Sequence, residues 1–157
     1  MSQAENHLAM KSNESGTELL FQAYFNAQYD MLLNLKPDII GHFDLIRLFR
    51  PNFPLSERVW SLIKRNISSI KEYDGLVELN PRSLKKGLHD IYPFADILRE
   101  MIAFKIKFTL GDDSHSPMEV GLHYDSLMQV LQEYNISQVY IPGSLNPISI
   151  NNKWINL

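Results

Sequence analysis

The sequence predicts an α/β fold in which parallel strands alternate with helices. Four short runs each contain two or three apolar residues, and the first of them has the pattern of a buried parallel strand. These runs start at Asp38, Leu76, Ile106 and Gln138, about every 30 to 38 residues, close to the roughly 31-residue unit of a (β/α)8 barrel. The 157 residues are too few for a whole barrel, which usually needs about 250. The spacing therefore predicts about four βα units, half of a barrel with an open edge.

The elements follow from local signals. Apolar residues recur at three- and four-residue steps after Thr17, a candidate helix cap, until Pro37 ends the first helix. Ser56 opens the second helix, and Pro93 starts the third. The predicted helices cover residues 17–36, 55–73, 93–102 and 122–131, and the predicted strands cover 38–42, 76–80, 105–110 and 138–141. We expect residues 1–16 to form a disordered polar leader, 17–141 a partial (β/α) barrel domain and 142–157 a C-terminal tail.

Composition excludes several classes of function. The formal net charge is −3, whereas a protein that binds nucleic acid usually concentrates Lys and Arg on one face. Cysteine is absent, which removes disulfides, thiolate metal sites and thiol nucleophiles. No apolar run approaches the roughly 18 residues that cross a membrane, and the polar N-terminus has no secretion signal. We therefore expect a cytoplasmic protein that binds neither nucleic acid nor membrane, and any metal would need His, Asp and Glu ligands.

Polar side chains with metal-binding chemistry follow three successive predicted strands. The first strand ends in His42-Phe43-Asp44, the second in Glu78-Leu79-Asn80 and the third in Asp112-Asp113-Ser114-His115. In a parallel α/β array the loops after the carboxyl ends of the strands meet at one edge, where function gathers. The sequence thus predicts a site at this edge.

The pair Asp113-x-His115 can direct a carboxylate and an imidazole into one cavity. With His42 on a neighbouring strand, this donor set suits zinc, manganese or iron(II). The alternatives remain open: Asp113 and His115 could form a turn before the next helix, and His42 could be a core histidine bonded to a carbonyl. Gly41 favours the metal site, because a glycine allows close approach of the backbone to a ligand.

The remaining charged residues have simpler interpretations beside a functional one. Glu78 is either a solvated residue at the end of its strand or a partner for Arg47. Arg47 follows Asp44 by three residues, so we expect a local salt bridge between them and prefer this interpretation to one in which Arg47 binds a phosphate. Lys85 and its neighbour Lys86 form either a solvated pair or part of a loop that meets a phosphate.

Residues 36–46, 77–80, 108–116 and 120–121 resemble the later half of histidinol-phosphatases. The likeness is greatest to the fungal type within the polymerase-and-histidinol-phosphatase (PHP) superfamily, and it runs from about Leu20 to Ile141. Its Gly-His-x-Asp motif falls at His42 and its Asp-x-His motif at Asp113 and His115.

The resemblance implies a distorted (β/α)7 barrel with divalent metals at the carboxyl ends of its strands. It also implies an enzyme of histidine biosynthesis that hydrolyses L-histidinol phosphate to L-histidinol and phosphate. His42, Asp113 and His115 match the metal ligands, and Asp113 and His115 are the catalytic candidates. Glu78 and Asn80 match a segment near the substrate pocket, and Arg47 is a further substrate-binding candidate.

Two departures from the family pattern change the expectation. The chain has no His-x-His pair, and residues 81–83 read Pro-Arg-Ser where many relatives carry small residues. We therefore expect three protein ligands in place of a full metal cluster. The alternative hypothesis is a non-catalytic half-barrel that binds a metal or a partner. A homodimer, or a separate N-terminal half, would cover its open edge.

Overall fold

A computed structural model describes residues 3–143 and 146–150 of the chain. Its helices are α1 (Gln3–Leu35), α2 (Glu57–Glu72), α3 (Arg82–Lys85), α4 (Ala95–Ala103) and α5 (Tyr124–Glu133). Its strands are β1 (Ile39–Ile40), β2 (Leu76–Leu79), β3 (Lys107–Leu110), β4 (Gln138–Val139) and β5 (Ile148–Ser149), and short 3-10 turns cover Leu45–Leu48 and Pro117–Glu119.

The predicted α/β class is confirmed by a parallel sheet whose strands stand in chain order, β1-β2-β3. Ile40 lies opposite Val77, and Val77 lies opposite Phe108. Since the three strands are parallel and adjacent, their carboxyl ends lie at one edge.

The core lies between the sheet and its helices. Ser56 caps α2 as predicted, by accepting the N–H of Val59 at 3.2 Å. The apolar face of α2 is buried except for Trp60, which is partly buried, and α1 packs against α2. Buried residues of the two helices are Phe21, Phe25, Leu32, Val59, Ile63, Ile67 and Ile70.

The beginning of α1 differs from the sequence-based prediction. We expected residues 1–16 to form a disordered leader, but the helix already begins at Gln3, so most of that segment is helical. Adding a residue to an existing helix costs much less than nucleating a new one. The packed turns after Thr17 can therefore extend backward through this segment, which includes two Ala and two Glu residues with high helix propensity. Met1 and Ser2 lie outside the described residues.

The fourth predicted strand is also placed differently. Gln138 and Val139 pair antiparallel with Ser149 and Ile148 of β5, in a separate two-stranded sheet. The segment still lies beside the main sheet, because the N–H of Tyr140 donates to the carbonyl oxygen of Phe108 in β3 at 2.8 Å. Pro142 follows and has no N–H with which to extend the ladder. Part of the predicted tail thus forms β5, and residues 151–157 lie outside the described part.

Candidate active site at the strand ends

The ends of β1, β2 and β3 bring His42, Glu78 and Asp113 together. The Nε2 atom of His42 lies 3.3 Å from Oδ2 of Asp113. Its Nδ1 atom lies 3.4 Å from Oε2 of Glu78. The imidazole ring therefore lies between two carboxylates from neighbouring strand ends. The side chains of His42, Glu78 and Asp113 are 23%, 17% and 33% exposed, so solvent reaches the group.

His42 and Asp113 both have left-handed backbone conformations, with φ values of 46° and 51°. Non-glycine residues avoid this region, and each such residue costs on the order of 1 kcal/mol. The surrounding structure imposes such strain, and it is not confined to the strand ends, since five other described non-glycine residues share the conformation: Lys36, Asp74, Lys105, His123 and Asn135. The two residues that face each other across the sheet edge are thus both held in unfavourable conformations.

Glu78 lies over two glycines of the neighbouring strand ends. A Cβ atom at Gly41 would stand 3.3 Å from Oε2 of Glu78, and a Cβ atom at Gly111 would overlap Oε1. The close approach that Gly41 was expected to allow is therefore made by Glu78. The Oε2 atom is buried and has no hydrogen-bond partner within the described residues, so Glu78 presents an unsatisfied oxygen beside His42.

The loop after β3 separates the roles of its two aspartates. Asp112 faces its own loop, where it accepts the N–H groups of Ser114 at 3.1 Å and Gly121 at 2.7 Å. These bonds, that of Gly121 first, lower the pKa of Asp112. Asp113 faces His42. The segment is therefore a structured turn and also a donor of one carboxylate to the site.

His115 is not brought to the group. Its side chain is exposed, and its Nδ1 atom lies 2.7 Å from the backbone oxygen of Asp113. No three His, Asp or Glu residues in the described ranges are arranged as a preformed metal site. Two predicted ligands, His42 and Asp113, thus lie close together, whereas the third predicted ligand, His115, lies apart from them.

Asn80 lies next to the site and fixes the loop that follows β2. Its side chain is fully buried, and its Oδ1 atom accepts the N–H of Arg82 at 2.8 Å. Its backbone exchanges two hydrogen bonds of 2.9 Å with Tyr92. Asn80 therefore positions Arg82, whose Nε atom lies 3.9 Å from Oδ2 of Asp113.

Arg47 pairs with residues outside the group formed by His42, Glu78 and Asp113. The salt bridge that the spacing predicted with Asp44 is replaced by one with Asp96, at 2.5 Å. The guanidinium also donates to the carbonyl oxygen of Pro51 at 3.3 Å and lies 5.0 Å from the ring centre of Phe94. Sequence spacing identified a local partner, but helix α4 packs over Arg47 and supplies a better placed carboxylate.

Asp44 is fully buried, and its Oδ2 atom accepts the N–H of Phe94 at 2.9 Å. Burial raises the pKa of this carboxyl to about 7, although the hydrogen bond from Phe94 opposes the shift. Asp44 therefore secures the chain that leads into α4.

Sequence reasoning did not single out Tyr92 or Arg82. The ring of Tyr92 lies 5.4 Å from that of His42, and its buried hydroxyl has no partner among the described residues. Burial raises the pKa of Tyr92 to about 12. No motif marks Tyr92, since it lies 50 residues after His42; for Arg82, the only signal was its departure from the family pattern.

A cavity of about 740 Å³ lies elsewhere, between β3, α5 and β4. It is mainly apolar and contains none of the predicted site residues. Its walls include Leu110, Tyr124, Met128, Val139 and Ile148.

Comparison with known proteins supports the resemblance seen in the motifs, although no family model matches the chain. The chain is 39% identical over 136 residues to a Schizosaccharomyces pombe protein named as a probable histidinol-phosphatase, covering 83% of this chain and 44% of that protein. It is 29% identical over 136 residues to the histidinol-phosphatase of Saccharomyces cerevisiae, covering 69% and 40%.

A solved structure gives the same result. The crystal structure of a candidate histidinol phosphatase from Listeria monocytogenes aligns with a TM-score of 0.62 and 27% identity, over 70% of this chain and 44% of that one. The chain thus spans less than half the length of each of these relatives. The resemblance to part of the histidinol-phosphatases is confirmed.

Proposed function

We propose that this chain carries strand ends of a metal-dependent histidinol-phosphatase, a phosphoric monoester hydrolase that converts L-histidinol phosphate and water to L-histidinol and phosphate. The carrying observation is that His42, Glu78 and Asp113 meet at one sheet edge, in a chain 39% identical to a protein of that name. As the resemblance implies, the enzyme would serve histidine biosynthesis, and we propose the cytoplasm as its location because the N-terminal segment has no apolar signal core.

The donor chemistry of the site fits a divalent metal. His42 and Asp113 would bind it, and His115 is the third candidate through the Asp-x-His motif. An imidazole with carboxylates suits zinc, manganese or iron(II). The buried, unpartnered Oε2 of Glu78 adds negative charge beside this pair. A bound metal would polarise the phosphoryl group and lower the pKa of a bound water.

The residues of the chain have separate tasks in this proposal. Oε2 of Glu78 lies 3.4 Å from Nδ1 of His42, so a small shift would let it accept a hydrogen bond from Nδ1–H and leave the Nε2 lone pair for the metal. Asn80 supports the substrate side of the site by holding the backbone of Arg82. Arg47 faces Asp96, so we assign it a structural role in place of substrate binding.

We also infer that the sheet is part of a (β/α)7 barrel. Its strands are parallel and stand in chain order, as in a barrel, whereas a doubly wound sheet reverses its order at a switch point. The bond from Tyr140 to Phe108 places the next segment on the free side of β3. At the other edge β1 has no second strand partner among the described residues, and Ile39 is 37% exposed. A second copy, or further barrel strands, would cover it.

Release of phosphate from L-histidinol phosphate by the purified chain, with Mn²⁺ or Zn²⁺ added, tests the activity. Asp113→Asn, His42→Ala and His115→Ala should each abolish turnover, because each removes a candidate ligand. Asp30→Asn, on the exposed side of α1, is the matched control and should leave turnover unchanged. Folded, metal-loaded wild-type protein without turnover would contradict an active site complete in this chain.

The second candidate is a non-catalytic chain that binds metal or a partner. The observation favouring it is that His115, the third candidate ligand, bonds to the backbone oxygen of Asp113 and lies apart from His42. Metal binding measured by calorimetry separates the two functions. A non-catalytic binder would bind Mn²⁺ or Zn²⁺ in a His42-dependent manner and release no phosphate, alone or mixed with a second barrel half.

A further inference from the structure

Two cations and one carboxylate form a compact group beside the strand ends. The NH1 atom of Arg82 lies 2.5 Å from Oε2 of Glu119. Lys85 Nζ forms an ion pair with the other oxygen, Oε1. The N–H of His115 donates to Oε2 at 3.2 Å. One carboxylate therefore receives a guanidinium, an ammonium and a backbone N–H, donors that also bind a phosphoryl group.

The group adjoins the candidate catalytic residues. The guanidinium that binds Glu119 also approaches Asp113, with its Nε atom 3.9 Å from Oδ2. Asp113 in turn lies 3.3 Å from Nε2 of His42. An anion that replaced the Glu119 carboxylate would thus lie one guanidinium away from the proposed metal ligands.

Arg82 is held more firmly than the turn that carries Glu119, whereas the side chain of Lys85 is 41% exposed and that of Glu119 is 19% exposed. The side chain of Arg82 is 11% exposed, and its backbone N–H is fixed by Asn80. Glu119 ends a 3-10 turn of three residues, Pro117–Glu119. The side chains on both sides of it are exposed, Met118 by 91% and Val120 by 72%. No apolar burial therefore anchors the turn, and its attachment here is mainly polar.

Glu119 is ionised throughout the neutral range. Hydrogen bonds from Arg82 and then Lys85 lower its pKa to about 2. The carboxylate thus acts as a permanent anion that neutralises the two cations.

We propose that Arg82 and Lys85 form the binding site for the substrate's anionic group, and that Glu119 occupies this site until the substrate displaces it. The identification of that group as a phosphoryl group rests on the proposed function; the displacement of Glu119 does not. Glu119 is then a competitor that weakens binding of free phosphate and product, and its turn must move when the site fills.

Binding of inorganic phosphate at constant ionic strength, measured by isothermal calorimetry, tests the proposal. Glu119→Gln removes the competing charge and should tighten phosphate binding about three- to tenfold, the effect of a few partly exposed ion pairs. Lys85→Gln should weaken it by a similar factor. Glu72→Gln, exposed at the end of α2 and near the opposite edge of the sheet, is the control and should bind within twofold of wild type.

Unchanged or weaker phosphate binding by Glu119→Gln would overturn the proposal. If that variant fails to fold, Glu119→Ala replaces it, because it also removes the competing carboxylate and should likewise tighten binding. Unchanged binding by a folded Glu119→Ala would also overturn the proposal. Since no turnover is measured, loss of the proposed hydrolase activity and loss of this anion site are distinguishable.

Discussion

Substitution of Gly111 by alanine tests whether the glycines position Glu78. A Cβ atom at residue 111 would overlap Oε1 and would lie 2.6 Å from Cδ and 3.0 Å from Cγ of Glu78. Three atoms are affected, so rotating the carboxylate alone cannot relieve the clash and the whole side chain must move. Gly111 itself has no left-handed backbone conformation, so alanine adds no strain there. We expect a loss of about 1–3 kcal/mol in the free energy of unfolding, the usual cost of overpacking.

The double variant separates this clash from other effects of alanine. In a Glu78→Ala background the clashing atoms are gone. Gly111→Ala should then be neutral or stabilise by about 0.4–1 kcal/mol, because alanine restricts the unfolded chain. Urea unfolding of the wild type, both single variants and the double variant gives the coupling energy. Gly41→Ala, with one contact at 3.3 Å, is the milder comparison and should cost less than Gly111→Ala.

Additive effects in this cycle would refute the reasoning. If Gly111→Ala costs the same with and without the Glu78 side chain, Gly111 does not serve the close approach of Glu78. A coupling energy of about 1 kcal/mol or more, above the usual additivity error of about 0.3–0.5 kcal/mol, would show that the glycine at position 111 makes room for Glu78.

Two further predictions concern buried charges near the site. Burial raises the pKa of Asp44 to about 7, above its value of 3.8 in the unfolded chain. Between about pH 4 and 7 the folded protein therefore keeps this proton and the unfolded chain releases it, so the free energy of unfolding falls as the pH rises through that window. Asp44→Asn should flatten this slope in urea unfolding at pH 5 and 7.5; an unchanged slope would contradict the assignment. Arg47→Met should lower the free energy of unfolding by about 1–2 kcal/mol, since Asp96 is 40% exposed and stays hydrated. Phosphate binding should be unchanged, with Arg50→Met as the exposed control, and weakened binding would instead give Arg47 a role in the substrate site.

Apolar periodicity was sufficient to identify four of the helices, α1, α2, α4 and α5, and the parallel strands β1 to β3, but not the one-turn helix α3. Burial of an apolar face is the main force that orients an element, and its signal is local, as at Val59, Ile63 and Ile67 in α2. The ends of elements were predicted less well. The start of α1 depends on propagation from packed turns, and the pairing of β4 depends on a later segment, Ile148–Ser149. Neither can be read from a local pattern.

The sequence by itself determined that the ends of β1, β2 and β3 carry His42, Glu78 and Asp113, because residues that follow buried parallel strands must emerge at the same edge. Only the tertiary structure decided which groups meet there. It directed Asp113 toward His42 and His115 away from it, paired Arg47 with Asp96, and placed Glu119 between Arg82 and Lys85. Such choices depend on rotamers, left-handed backbone conformations and partners 30 or more residues apart, where a difference of one or two kcal/mol decides the outcome.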